Sequence, residues 1–177
     1  MASLRTVAIV HELERSFGIG CERRGFRLVH YSFRGHHAHL IVEALDPHAL
    51  GRGMKAIGAR LARAVNRVTG HTGPVLADRY HARMLATPRE VHRALRYVLL
   101  NARRHNAKGK ETLGRALRID RASSGRWFDG WKRKLPVTER EDGHAAVASP
   151  PVARARTWLL NVGWRRHGLL DPADVPG

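Results

Sequence analysis

Apolar residues recur along this chain with two different periods, and the changes between them mark out its elements. From about Leu4 to Arg23, Val7, Val10, Leu13 and Phe17 fall at helical spacing, which predicts a helix ended by Gly25. "FRLVHYSF" (26–33) is rich in aromatic and β-branched residues and predicts a strand. Arg34–Gly35 then makes a tight link to a second strand over 37–45, antiparallel to the first. A strand points alternate side chains to opposite faces. That places His37, His39, Ile41 and Glu43 on one face, and Ala38, Leu40, Val42 and Ala44 on the other.

The helical period returns after Asp46–Pro47, an acidic cap followed by proline in the first turn. Leu50, Met54, Ile57, Leu61, Val65 and Val68 form the apolar stripe of that helix, with Arg52, Lys55, Arg60, Arg63 and Arg67 largely off it. "GHTGPV" (70–75) is a loop, and the alternation in "RYHARMLA" (79–86) predicts a short strand. "TPRE" (87–90) carries the capping-box pattern and opens a helix to about Arg104. Val91, Ala94, Leu95, Val98 and Ala102 form its buried side; Tyr97 and Asn101 lie one turn apart on the flank, beside Arg93 and Arg104. The order helix, strand, strand, helix, strand, helix predicts an α+β fold, an antiparallel sheet flanked by helices. Residues 1–106 form its main domain. Beyond them, 107–135 is a tryptophan-containing extension that packs on the body, 136–151 a linker, and 152–177 a docked helical segment.

Composition narrows the function. Lys and Arg number 32 against 15 Asp and Glu, a formal net charge of +17, and arginine dominates. Such an excess attracts polyanions, because released counterions drive their binding, so the expected partner is a nucleic acid. The single cysteine, Cys21, excludes a disulfide framework and a cysteine-cluster zinc site. No apolar run reaches membrane-spanning length and Met1–Val10 has no signal-peptide pattern, so the expected location is the cytoplasm, with no membrane partner.

Two imidazoles side by side on a strand can hold a metal ion. The pair alone is not specific, since 12 histidines in 177 residues produce about one His-x-His by chance. Glu43 on the same face reads as a solvated or salt-bridged carboxylate, and Tyr97 by itself as a core-edge aromatic with a wet hydroxyl. His36, His81 and His105 read as surface residues.

Taken together, "HHAHLIVEA", "RGMKAIGARLARAVNRVTGHTG", "DRYHARML" with "TPRE", and "LRYVLLNARRH" resemble the single-tyrosine HUH transposases of the insertion-sequence 200 type. Within these, the resemblance is to the stand-alone REP-associated tyrosine transposases, over about residues 5 to 106. It implies the ferredoxin-like HUH fold and metal-dependent cleavage and strand transfer of single-stranded or hairpin DNA through a 5′-phosphotyrosine. It further implies Tyr97 as nucleophile, His37, His39 and Asn101 as ligands of Mg²⁺ or Mn²⁺, and a monomer or homodimer. Arg79–Tyr80 matches the family's basic-aromatic dipeptide. With Arg60, Arg63, Arg67, Arg93 and Arg104 it makes up the expected DNA-binding set. The chain departs from the pattern at His36, where the family has Asn or Asp, and at Asn101–Ala102–Arg103, where it has Asn-Pro-Val. Members also open with a strand beside the histidine strand; here Met1–Ser3 leads almost straight into helix, so that strand is expected to be missing. Two alternatives stand beside this reading: a catalytically decayed nucleic-acid-binding relative, and a metal-dependent nuclease that hydrolyses without a tyrosyl intermediate.

Overall fold

Helix α1 (Val7–Gly18) is followed by β1 (Glu22–Arg23), β2 (Phe26–Phe33), β3 (Ala38–Ala44), α2 (Pro47–Thr69), α3 (Pro88–Asn106) and a short α4 (Trp158–Asn161). These come from a computed structural model that describes residues 3–77, 80–106, 119–135 and 149–174, with the backbone alone for 101–106. The strands form an antiparallel sheet in the order β1-β2-β3, so the α+β class and the antiparallel sheet read from the sequence are what the chain adopts. The helix starts follow their caps. Asp46 Oδ1 accepts from Ala49 N at 2.6 Å. Thr87 Oγ1 accepts from Glu90 N at 3.2 Å while Glu90 Oε2 accepts from Thr87 N at 3.1 Å, a closed capping box.

Two expected elements differ. The first helix stops at Gly18 instead of continuing to Arg23: Gly18 and Gly20 weaken it, and Gly25 at φ 75° turns the chain so that Glu22 pairs with Arg27 and Arg23 with Phe26. The segment from Tyr80 to Ala86 is not a strand; it joins no sheet among the described residues, and Tyr80 and Met84 are exposed. Alternation alone does not make a strand; this segment forms no hydrogen-bonded ladder with the sheet. The apolar stripes are also rotated slightly. Val7 and Val68 are exposed, and Ile9 and Ala64 take core positions. Gly53 lies on the buried face of α2 because Phe26 packs on it, and a Cβ there would sit 2.1 Å from the Phe26 ring.

A bulge in β2 sets which residues face which layer. Leu28 pairs with Val42 and His30 with Ile41, leaving Val29 as the extra residue. Without it, strict alternation would divide Phe26 and Leu28 from Tyr31 and Phe33. With it, all four point to one side, where they form a core with Leu13 and Phe17 of α1 and Ile57, Leu61 and Val65 of α2. Val29 and Ile41 face the other way, onto Val91, Leu95, Val98 and Leu99 of α3. Phe128, together with Leu160, Trp164 and Leu170 of the C-terminal segment, closes that second core.

The C-terminal segment holds two short helical turns. It is α4 followed by a 3-10 turn at Gly163–His167, with Gly168 at φ 89° ending the run. It is fastened to β3 by Glu43, which is buried and, of the two expected states, salt-bridged, with Arg27 Nη1 at 3.7 Å; its carboxylate also accepts from Arg156 N at 2.9 Å, Thr157 N at 2.8 Å and Thr157 Oγ1 at 2.7 Å. Each charge-assisted bond of this kind contributes about 1.5–3 kcal/mol. On the opposite layer Glu14 of α1, also buried, accepts from Tyr31 Oη at 3.1 Å and Arg126 Nη2 at 2.6 Å, tying the extension to the first core. Residues 107–118 and most of the expected linker, 136–148, lie outside the described residues.

His30 carries a testable consequence. Its buried ring meets Phe128 edge-on at 5.3 Å, and burial lowers its pKa from 6.5 to about 4. The unfolded chain therefore takes up a proton near pH 6.5 that the folded chain refuses until about pH 4. Stability is complete above about pH 6.5 and falls as pH drops through that window, by about 3 kcal/mol in total. Denaturant titrations of His30→Asn across pH 4 to 7 should show a distinctly flatter dependence than the wild type. Parallel curves for the two proteins would contradict the assignment.

Candidate active site on the histidine face

The β2–β3 hairpin builds one side of the site. Ser32 lies opposite His39 and Phe33 opposite Ala38. Arg34 N then donates to His37 O at 2.7 Å, which adds Arg34 opposite His37 as the last rung. Phe33 and Ala38 point into the α1–α2 core, so Ser32, His39, Arg34 and His37 share the opposite face. The expected histidine face is thus present, and α3 crosses it. Burial of Val91, Leu95, Val98 and Leu99 fixes the rotation of α3 and leaves Tyr97 on its flank, 37% exposed.

The three rings meet. His37 and His39 stand edge-to-face with centroids 4.9 Å apart, and Tyr97 lies edge-on to His39 at 5.1 Å. His37 is exposed and His39 half-buried. Among the described residues, His39 Nε2 is enclosed without a hydrogen-bond partner, and so is Ser32 Oγ directly across the sheet. Burial lowers the His39 pKa, and the nearby His37 and Arg34 charges lower it further. The ring is therefore neutral at neutral pH, the form that offers a lone pair to a metal.

The residues fit a divalent cation as a two-imidazole donor set, with the orphaned His39 Nε2 as the observation that favours it. Among the described residues no group of three His, Cys, Asp or Glu completes such a set. Glu43 shares the strand face, but its carboxylate is engaged by the C-terminal segment. Asn101 follows Tyr97 by one turn of α3. Its side chain and that of Arg104 lie outside the described residues, as does the whole of Arg79.

The basic residues divide. Arg93, exposed on α3 one turn before Tyr97, borders the face. The α2 residues do not: α2 packs on the other side of the sheet. There Arg60 Nη1 donates to Ser16 O at 3.1 Å and Arg67 pairs with Glu12, both on α1 or its end. Arg63 is exposed on the same helix and Tyr80 exposed in the segment before α3. Of the expected DNA-binding set, these three therefore lie across the sheet from Tyr97; helical periodicity gives a residue's stripe but not which side of the sheet its helix covers. An open groove of about 430 Å³ on the extension, lined by Phe128, Trp131 and Lys132–Leu135 among others, shares no residue with the histidine face.

Arg34 was not among the sequence candidates. The signal that could have found it is the hairpin itself: a two-residue turn at Gly35–His36 makes Arg34 the cross-strand neighbour of His37.

Titration with Mn²⁺ checks the donor set. Paramagnetic broadening should reach the imidazole signals of His37 and His39 before those of the other histidines, and His39→Ala should remove the selectivity. Uniform broadening of all the histidines would exclude a metal site here.

No protein-family model matches the chain, and no curated protein and no solved structure matches it either.

Proposed function

We propose that the chain is a single-tyrosine transposase of the HUH type, cleaving and rejoining single-stranded or hairpin DNA through Tyr97. The observation that carries this reading is the contact of the Tyr97 ring with His39 at 5.1 Å, next to His37, on one sheet face. The net charge of +17 and the exposed Arg93 beside Tyr97 support a polyanionic substrate.

In this reading Tyr97 Oη attacks the scissile phosphorus. A bond from phosphorus to the tyrosyl oxygen forms, the bond to the 3′-oxygen breaks, and that oxygen leaves as a 3′-hydroxyl after taking a proton. The phenolic proton is lost to solvent or a neighbouring base. The 5′-phosphotyrosine conserves the phosphodiester energy, so attack by a 3′-hydroxyl restores the DNA strand and the phenol. A free phenol has a pKa near ~10, so the step needs help at neutral pH. Mg²⁺ or Mn²⁺ held by His37 and His39, with Asn101 as third ligand, would supply charge neutralisation at the phosphate when bound. The β2–β3 hairpin holds the two imidazoles, and the packing of α3 holds the phenol against them. The site as described draws on a single protomer; activity as a monomer or homodimer, in the cytoplasm, belongs to the same proposal. No described helix is long and apolar enough to cross a membrane.

A second reading, a binding-only relative, draws on β3. Among the described residues no backbone hydrogen bond joins its outer edge, so the strand that carries the histidines has its backbone ladder with β2 alone. One experiment separates the readings. Protein incubated with Mn²⁺ and a hairpin-bearing oligonucleotide should give a denaturation-resistant adduct, reduced ~10³-fold or more in Tyr97→Phe with binding nearly unchanged. Metal-dependent cleavage that survives Tyr97→Phe would point to a hydrolytic nuclease, and binding without any adduct to the decayed relative.

A further inference from the structure

Arg34 is 9% exposed, and among the described residues its side chain makes no hydrogen bond or ion pair. The Arg34 stem is packed in the fold, but its guanidinium nitrogens are not enclosed, so the unpaired charge is open to a ligand. The nearest acidic group does not serve. Asp120 is gripped by both nitrogens of the Arg5 fork at 2.7 and 2.9 Å, and Arg5 Nη1 also donates to Phe33 O at 3.0 Å, next to Arg34 in the chain. Two guanidinium groups and one carboxylate leave one positive charge over. Its surroundings agree: burial and Arg5 both act against the charged Arg34, Asp120 and Tyr97 favour it, and its field reaches His39. His37 lies opposite it, and the adjoining rung holds Ser32, 1% exposed with its Oγ unpartnered, across from His39.

We propose that Arg34 is a phosphate-binding residue, forming an anion subsite beside Tyr97 for a non-bridging oxygen of the phosphodiester that Tyr97 attacks. The planar fork suits two oxygens of one phosphate, and the ligand supplies the negative charge that the fold leaves out. This deepens the reading of Tyr97 as nucleophile and rests on it for the identity of the phosphate, while the anion subsite itself stands on the hairpin geometry.

The test has two arms, run on the full chain with Arg34→Gln, Arg34→Lys and the exposed control Arg63→Gln. In the first, adduct formation with Mn²⁺ and a hairpin oligonucleotide should fall about 10- to 100-fold in Arg34→Gln, with partial recovery in Arg34→Lys. On a substrate carrying a neutral methylphosphonate at the scissile position, wild type and Arg34→Gln should react at nearly the same rate. An equal loss on both substrates would overturn the proposal, since a structural role does not depend on the phosphate charge. In the second, tungstate should raise the melting temperature of wild type and Arg63→Gln more than that of Arg34→Gln. Equal shifts in all three proteins would overturn the subsite even if adducts form. If wild type forms no adduct while the tungstate difference persists, the subsite stands and the transposase reading falls.

Discussion

The register of β2 against β3 is the constraint on which the rest of this molecule depends. Strand side chains have a period of two, so a slip of one residue would exchange every face. Here the slip happens once, by design of the sequence, at Val29. It lets Phe26, Leu28, Tyr31 and Phe33 fill one core while Val29, His30 and the partner strand's Ile41 and His39 turn to the other side. The same pairing carries on into the hairpin, so that Arg34 meets His37 and Ser32 meets His39. A single hydrogen-bonding pattern thus builds the core for α1 and α2 and the polar patch that Tyr97 approaches.

What holds Tyr97 there is packing from behind. α3 packs against both the sheet and a cover made by Phe128, Leu160, Trp164 and Leu170, parts of the chain distant in sequence. Their attachment is polar and specific. Glu43 takes three donors from Arg156 and Thr157, Ser124 Oγ accepts from Tyr31 N at 3.0 Å, and Glu14 binds Tyr31 and Arg126. Buried carboxylates satisfied in this way favour one arrangement over others, because any displacement strands a charge. The cover leaves the flank of α3 open, and that flank is where Tyr97 and Arg93 stand.

Much of this was legible from local pattern. Alternation in "HHAHLIVEA" put His37 and His39 on one face, Asp46–Pro47 and "TPRE" marked two helix starts, and 3.6-residue spacing put Tyr97 at the edge of a buried stripe. The parts that were not legible depend on contacts between distant residues. Nothing near Glu43 announces that Arg156 and Thr157 will bury it, and nothing near Arg60 or Arg67 announces α1. The stretch from Tyr80 to Ala86 alternates like a strand but pairs with none of the three strands. Arg34 looked like part of a turn, because its importance comes from the rung it completes and from Arg5 having already engaged Asp120.

The account turns on Tyr97 as the atom that bonds to DNA, and peptide mapping of the adduct tests that most directly. Trypsin cuts after Arg96 and Arg103, so the account predicts that DNA-linked material releases the peptide Tyr97–Arg103 with a nucleotide phosphate on its tyrosine. Phosphate linkage mapped to Tyr31, Tyr80 or any residue other than Tyr97 would contradict it.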